Sequence, residues 1–169
     1  MVNIMKKYSL GTLRWLWLSV FVLAADQLVK VVAVQSLGMY EQIPVLPFFS
    51  LTLAYNYGAA FSFLSDSSGW QRWFLSGVAI VVSVLLISWM RHLDRRERWQ
   101  SWALALILGG ALGNLCDRIV FGYVVDFILL HYDKYYFPAF NLADSAITIG
   151  AFMLLLDMFR NRHKKATVE

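Results

Sequence analysis

Charge is scarce in this chain: Asp, Glu, Lys and Arg make up only 15% of its 169 residues, while 59% are hydrophobic. A water-facing domain usually carries about a quarter charged residues, so a soluble globular protein is excluded. Cysteine occurs once, at Cys116, which rules out an internal disulfide and a cysteine-based zinc cluster. No metal or cofactor is expected. Internal repeats and low-complexity stretches are also absent. What fills the sequence instead is long apolar runs, and four of them approach the roughly 20 residues a helix needs to cross a bilayer. They are Trp15–Val34, Trp73–Met90, Trp99–Val120 and Leu142–Phe159. The remainder is too short for a second globular unit, so one integral membrane domain over 1–169 is expected, all-α in class.

The formal net charge of +4 might be read as a nucleic-acid signal, but its distribution says otherwise. Lys6, Lys7 and Arg14 precede the first span, and Arg91, Arg95, Arg96 and Arg98 separate the second from the third. Arg160, Arg162, Lys164 and Lys165 follow the fourth. Four spans put these clusters on one side, which the positive-inside rule makes cytoplasmic, with both termini there. The connections 35–72 and 121–141 then face outward, and Trp15, Trp17, Trp73, Trp99 and Trp102 sit near span ends as interfacial aromatics do. The basic N-terminus before an apolar run resembles a signal peptide. The run is long for one, however, and Leu23 occupies the −3 position of a cut at Ala25, so cleavage is not expected. Cys116, inside the third span, reads as a small packing residue.

In Leu46–Tyr55, Phe49, Leu51, Leu53 and Tyr55 alternate with Ser50, Thr52 and Ala54, a period of two that predicts a half-buried strand. Asn56-Tyr57-Gly58 follows as a turn, with Ala59–Leu64 as a returning strand. The second connection, Phe121–Phe140, is rich in aromatics and predicts a segment lying along the interface, including a short amphipathic helix.

Ionisable groups at membrane depth carry the functional information, because each costs at least about 2.5–3.5 kcal/mol there. Asp26 and Lys30 share a face of the first span. Asn114, Asp117 and Arg118 lie in the outer half of the third, Asp126 just beyond it, and Asn141 and Asp144 open the fourth. They converge at one level beneath the outer surface. Each has a plainer reading. Asp26–Lys30 could be a structural pair, Asn114 and Arg118 interhelical hydrogen-bonders beside Gly109-x-x-x-Gly113, Asn141 and Asp144 helix caps, and Asp126 a loop acid. A proton relay would instead scatter such groups over several depths, and a scaffold would use them only for helix contacts. Two acids entering one shallow apolar site suggest carboxylates sharing a proton.

Five blocks then occur in order: Asp26-x-x-x-Lys30, Asn56-x-Gly58-Ala59-Ala60-Phe61, Gly110-Ala111-x-Gly113-Asn114-x-x-Asp117-Arg118, Val124-Val125-Asp126-Phe127 and Phe140-Asn141-x-Ala143-Asp144. Over nearly its whole length the chain resembles the lipoprotein signal peptidase (signal peptidase II) family. The resemblance implies a bacterial inner-membrane aspartic endopeptidase that cuts diacylglyceryl-modified prolipoproteins before the lipidated cysteine. It also implies a periplasmic active site, a small periplasmic β-cradle, contact with membrane lipids and inhibition by globomycin-type cyclic peptides. Asp126 and Asp144 become the catalytic pair, with Asp26, Lys30, Asn56, Gly58, Asn114, Arg118 and Asn141 supporting. Nucleic acid is not an expected partner, and a monomer is expected. Tyr57 and Cys116 stand where Thr and Tyr are common in the family, and neither is a proposed catalytic group.

Overall fold

The computed structural model describes residues 12–58 and 69–166. A short 3-10 turn, Leu13–Trp15, leads into helix α1 (Leu16–Ser36). Strands β1 (Ile43–Leu46) and β2 (Phe49–Asn56) precede helices α2 (Trp70–His92) and α3 (Arg98–Val120). Strands β3 (Val124–Tyr132) and β4 (Tyr135–Tyr136) precede helix α4 (Leu142–Ala166). All four helices are long and apolar enough to cross a membrane.

Helix α3 is the axle. In its most apolar stretch 61% of residues are buried inside the protein, against 28%, 22% and 17% for α1, α2 and α4, which pack around it or against one another. Lipid is as apolar as leucine, so hydrophobicity alone cannot hold helices together there; close backbone approach and interhelical hydrogen bonds must. The glycines of α3 supply that approach. A methyl group on Gly109 would lie 2.7 Å from Cβ of Val22 in α1, and one on Gly110 would collide with the Ala143 carbonyl in α4. Buried residues of α1 form one helical stripe, Ser19, Val22, Asp26, Lys30 and Ala33. Val20, Phe21, Leu28, Val31 and Val32 on the opposite side are exposed and suited to lipid. The polarity is thus inverted relative to a soluble helix: the polar stripe faces protein. Ser19 Oγ, for example, donates to the Ala105 carbonyl at 2.8 Å. At the opposite end of the bundle from these ionisable groups, Leu86, Met90, Leu104, Ala105 and Leu108 form the apolar core.

The sheet is antiparallel in the order β1-β2-β3-β4. The alternation in 49–56 does form a strand, but the buried positions include its polar members: Ser50 and Thr52 are 2% and 5% exposed. Asn56 Oδ1 accepts the Gly58 amide at 3.1 Å, an Asx turn at the end of β2. The returning strand expected over 59–64 lies outside the described residues. The short interfacial helix expected within 121–140 is not what forms. Residues 124–132 are strand, with Asp126 opposite Ala54 and Val125 opposite Tyr55. The physical reason is twofold. Val124-Val125 and Phe127-Ile128 favour extended backbone, and the free edge of β2 offers unpaired N–H and C=O groups that need a partner.

Candidate active site

Three connections bring the polar residues together. Pairing of β3 with β2 sets Asn56 opposite Val124, two residues from Asp126. An isolated bridge then joins Phe140 to Ile128, with each amide donating to the other's carbonyl, at 3.0 and 2.8 Å. That bridge delivers the next residue, Asn141, to the side of Asp126 just as α4 begins. The packing of α3 on α1 and α4 contributes Asn114, Asp117 and Arg118 from the same end of the bundle.

Asparagine 141 is the junction. It caps α4 in a reciprocal box: its Oδ1 accepts the Asp144 amide at 2.9 Å, and its own amide donates to Asp144 Oδ2 at 3.3 Å. Because Oδ1 is the acceptor there, Nδ2 must point the other way, and it donates to Asp126 Oδ1 at 2.6 Å and to Asn114 Oδ1 at 3.2 Å. Asn114 Nδ2 in turn donates to Asp144 Oδ1 at 2.7 Å. The two carboxylates are therefore linked through two asparagines. Asn56, its own oxygen committed to Gly58, donates Nδ2 to Asp126 Oδ2 at 3.1 Å. Arg118 donates to the carbonyls of Gly58 at 3.1 Å and Asn114 at 3.3 Å, tying α3 to the end of β2. Sequence-predicted Asp126, Asp144, Asn56, Gly58, Asn114, Arg118 and Asn141 thus form one connected group.

Burial pushes the Asp126 carboxyl up to about 7, the nearby Asp144 charge adds to the rise, and hydrogen bonds from Asn56 and Asn141 together with Lys30 oppose it. Such an acid holds a proton near neutrality and can either give it or take it. Asp126 and Asp144 line a cavity of about 850 Å³ with Asn56, Asn114 and Arg118, and the rest of its wall is largely apolar, including Tyr55, Phe140 and Ile147. Ile149, 55% exposed on α4, also lines it, so the cavity reaches the lipid-facing surface.

Behind this group sits the α1 pair. Lys30 Nζ lies 2.8 Å from Asp26 Oδ2, and at the same distance from Asp117 Oδ2. It also donates to Asn114 Oδ1 at 3.2 Å. Sequence reasoning paired Lys30 with Asp26 alone and assigned Asp117 no role in the site. It missed Gln27 altogether, which donates to Asp117 Oδ1 at 2.8 Å. The available signal for Asp117 was its place at membrane depth, one residue before Arg118; for Gln27 only its adjacency to Asp26 pointed the way.

Residues 18–160 match the family model for signal peptidase (SPase) II. The lipoprotein signal peptidase of Pseudomonas syringae pv. tomato is 57% identical over 162 residues, covering 95% of this chain and 94% of that protein. That of Pseudomonas aeruginosa strain UCBPP-PA14 is 62% identical over 154 residues, covering 90% and 91%. A bacterial membrane enzyme solved by the in meso method at 2.3 Å resolution superposes with a TM-score of 0.82 at 32% identity, covering 96% of each chain. Another, solved by that method at 1.9 Å, gives 0.77 at 31% identity over 92% of this chain and 97% of the other.

Proposed function

This chain belongs to the signal peptidase II family, and on that premise we propose that it is an aspartic endopeptidase of the bacterial inner membrane. It releases the signal peptide of diacylglyceryl-modified prolipoproteins by cutting before the lipidated cysteine. The observation that carries the reading is the pair of carboxyls, Asp126 and Asp144, lining one cavity and linked through Asn114 and Asn141. Peptide hydrolysis without a covalent nucleophile needs a base for water and an acid for the substrate, and one ionised and one protonated carboxyl supply both. Asp126, raised to about 7, is the protonated partner. Asp144 sits in the first turn of α4, where free amides and the helix dipole favour negative charge, and it is the initial base.

In the first step Asp144 takes a proton from water as the water oxygen attacks the scissile carbonyl, and Asp126 gives its proton to the carbonyl oxygen. The gem-diol then collapses. Asp144 returns its proton to the leaving nitrogen as the C–N bond breaks, and Asp126 recovers a proton from a hydroxyl of the diol. The dyad ends as it began. Asn56, Asn141 and Asn114 fix the orientation of both carboxyls through the cycle. The wall that reaches the lipid-facing side of α4 suits a substrate whose acyl chains stay in hydrocarbon, and it is where globomycin-type cyclic peptides would compete. The distribution of the basic clusters supports a topology with both termini in the cytoplasm and the dyad at the periplasmic face.

The deciding experiment is cleavage of a lipidated precursor by purified protein, normalised to folded enzyme. Asp126→Asn and Asp144→Asn should each abolish release of the signal peptide, and the double variant should be scarcely worse. Substantial turnover by either single variant would refute the aspartic mechanism.

A further inference from the structure

Two buried carboxylates outside the dyad make the same unusual contact. Asp117 Oδ2 accepts the backbone amide of Val125 at 3.0 Å, and Asp26 Oδ1 accepts the backbone amide of Ala143 at 2.9 Å. Val125 immediately precedes Asp126, and Ala143 immediately precedes Asp144. Val125 is also held at its other backbone group, since Asn141 Nδ2 donates to its carbonyl at 3.3 Å. Asp117 and Asp26 are 1% and 0% exposed. Lys30 bridges them, 2.8 Å from each. Asp117 keeps its second oxygen on Gln27, so the acceptor facing Val125 is fixed in direction.

Resting on the reading of Asp126 and Asp144 as the dyad, we propose that Asp117 is a positioning residue for Asp126, as Asp26 is for Asp144, and that Lys30 joins the two clamps. The strand bearing one catalytic carboxyl and the helix bearing the other come from separate parts of the sheet and bundle. No element spans both. Besides the link through Asn141 and Asn114, a common ammonium between the two anchors ties the strand and the helix to a single ion cluster on α1 and α3. Catalytic groups need this kind of support because they must be held within about half an ångström of productive geometry. Asp117 touches no reacting atom in this scheme and acts through the Val125 amide and through Lys30, which also donates to Asn114.

The test uses the full chain in lipid nanodiscs with a lipidated precursor, and reads kcat and KM per folded molecule. Asp117→Ala removes the acceptor of the Val125 amide but leaves Lys30 paired with Asp26, so no buried cation is stranded. Its kcat should fall on the order of 100-fold, the loss expected from a misplacement of about 1 Å, while KM stays within about twofold. Asp117→Leu fills the site with an apolar side chain that a spanning helix accommodates, and it should give the same split without a cavity. Asp117→Asn retains an oxygen for the Val125 amide and should recover kcat to within about tenfold of the unmodified enzyme. Unchanged kcat in the Ala and Leu variants, a loss confined to KM, or an Asn variant as poor as Ala would each overturn the positioning role. Asp126→Asn runs alongside. Turnover by that variant would fell the dyad itself, whereas an inactive Asp126→Asn beside a fully active Asp117→Ala would fell only the clamp.

Discussion

Replacing Asp126 by Asn should remove activity and, as pH rises from 5 to 8, make the variant gain stability relative to the unmodified protein. The carboxyl is raised from 3.8 to about 7 on folding, chiefly by burial. A raised acid binds its proton more tightly in the folded state, so between these two values the folded protein holds a proton that the unfolded chain has released. Its contribution is therefore fully present below about pH 3.8, declines as pH rises, and is gone above about 7. At about 1.4 kcal/mol per pH unit, the unmodified protein loses about 3 kcal/mol from this group between pH 5 and pH 8. An asparagine has nothing to ionise. At pH 5 it resembles the protonated acid in shape. Asn56 Nδ2 and Asn141 Nδ2 both donate to residue 126, however, and an amide keeps one acceptor oxygen for the two. The variant should therefore be less stable there by about 1–3 kcal/mol. From pH 5 to pH 8 the stability difference should shift by about 3 kcal/mol in favour of the variant. Groups remote from the Asp126–Asp144 pair are common to both proteins and cancel in the difference. Thermal unfolding in detergent at a series of pH values measures it, with precursor cleavage followed in parallel. A stability difference that stays constant from pH 5 to pH 8 would refute the reasoning, since it would mean that Asp126 does not change protonation there. The unmodified enzyme should also lose activity above about pH 7, as Asp126 gives up the proton that the first step requires.

Lys30→Met should destabilise by about 3–5 kcal/mol, because it leaves Asp26 and Asp117 buried without their shared cation; an unfolding midpoint like that of the unmodified protein would contradict this. Gly113→Ala places a methyl 2.7 Å from Asp26 Oδ2, and Asp26 is held in place by Lys30 on Oδ2 and by the Ala143 amide on Oδ1, so it should cost about 1–3 kcal/mol and reduce cleavage. Gly77→Ala, with nothing within 4 Å, should be neutral or slightly stabilising in the same melts. Cys116→Ala should retain most activity, and thiol blockers should not inhibit, because the half-buried thiol has no part in the chemistry; loss of cleavage in a well-folded variant would reopen the mechanism. Single cysteines at Ser67 and Lys134 in a Cys116→Ser background should react with an impermeant thiol reagent from the periplasmic side, and labelling only after the membrane is breached would reverse the topology.

The four helices and their place in a bilayer were legible in the sequence because hydrocarbon leaves a chain few choices. A run of that length must satisfy its own backbone groups, and an uninterrupted helix does so locally. The convergence of Asp126, Asp144, Asn114 and Asn141 was legible for a related reason, since the cost of polarity at depth makes every such residue conspicuous. The β2 strand declared itself through alternation, a local signal. Its neighbour did not. Residues 124–132 carry an aromatic, interfacial composition compatible with a helix, and only the open edge of β2 made them a strand. The same non-local pairing sets Asn56 and Asp126 within hydrogen-bonding distance. Lys30 illustrates the limit most clearly. Spacing of four on α1 assigns it to Asp26, but its equal bond to Asp117 depends on how far α1 and α3 slide past one another. That register is set where Gly109 lets α3 approach the backbone of α1 at Ser19 and Gly113 leaves room for the Asp26 carboxylate. Which carboxylate accepts the Val125 amide and which the Ala143 amide follows from this contact between distant segments, so tertiary packing decided it.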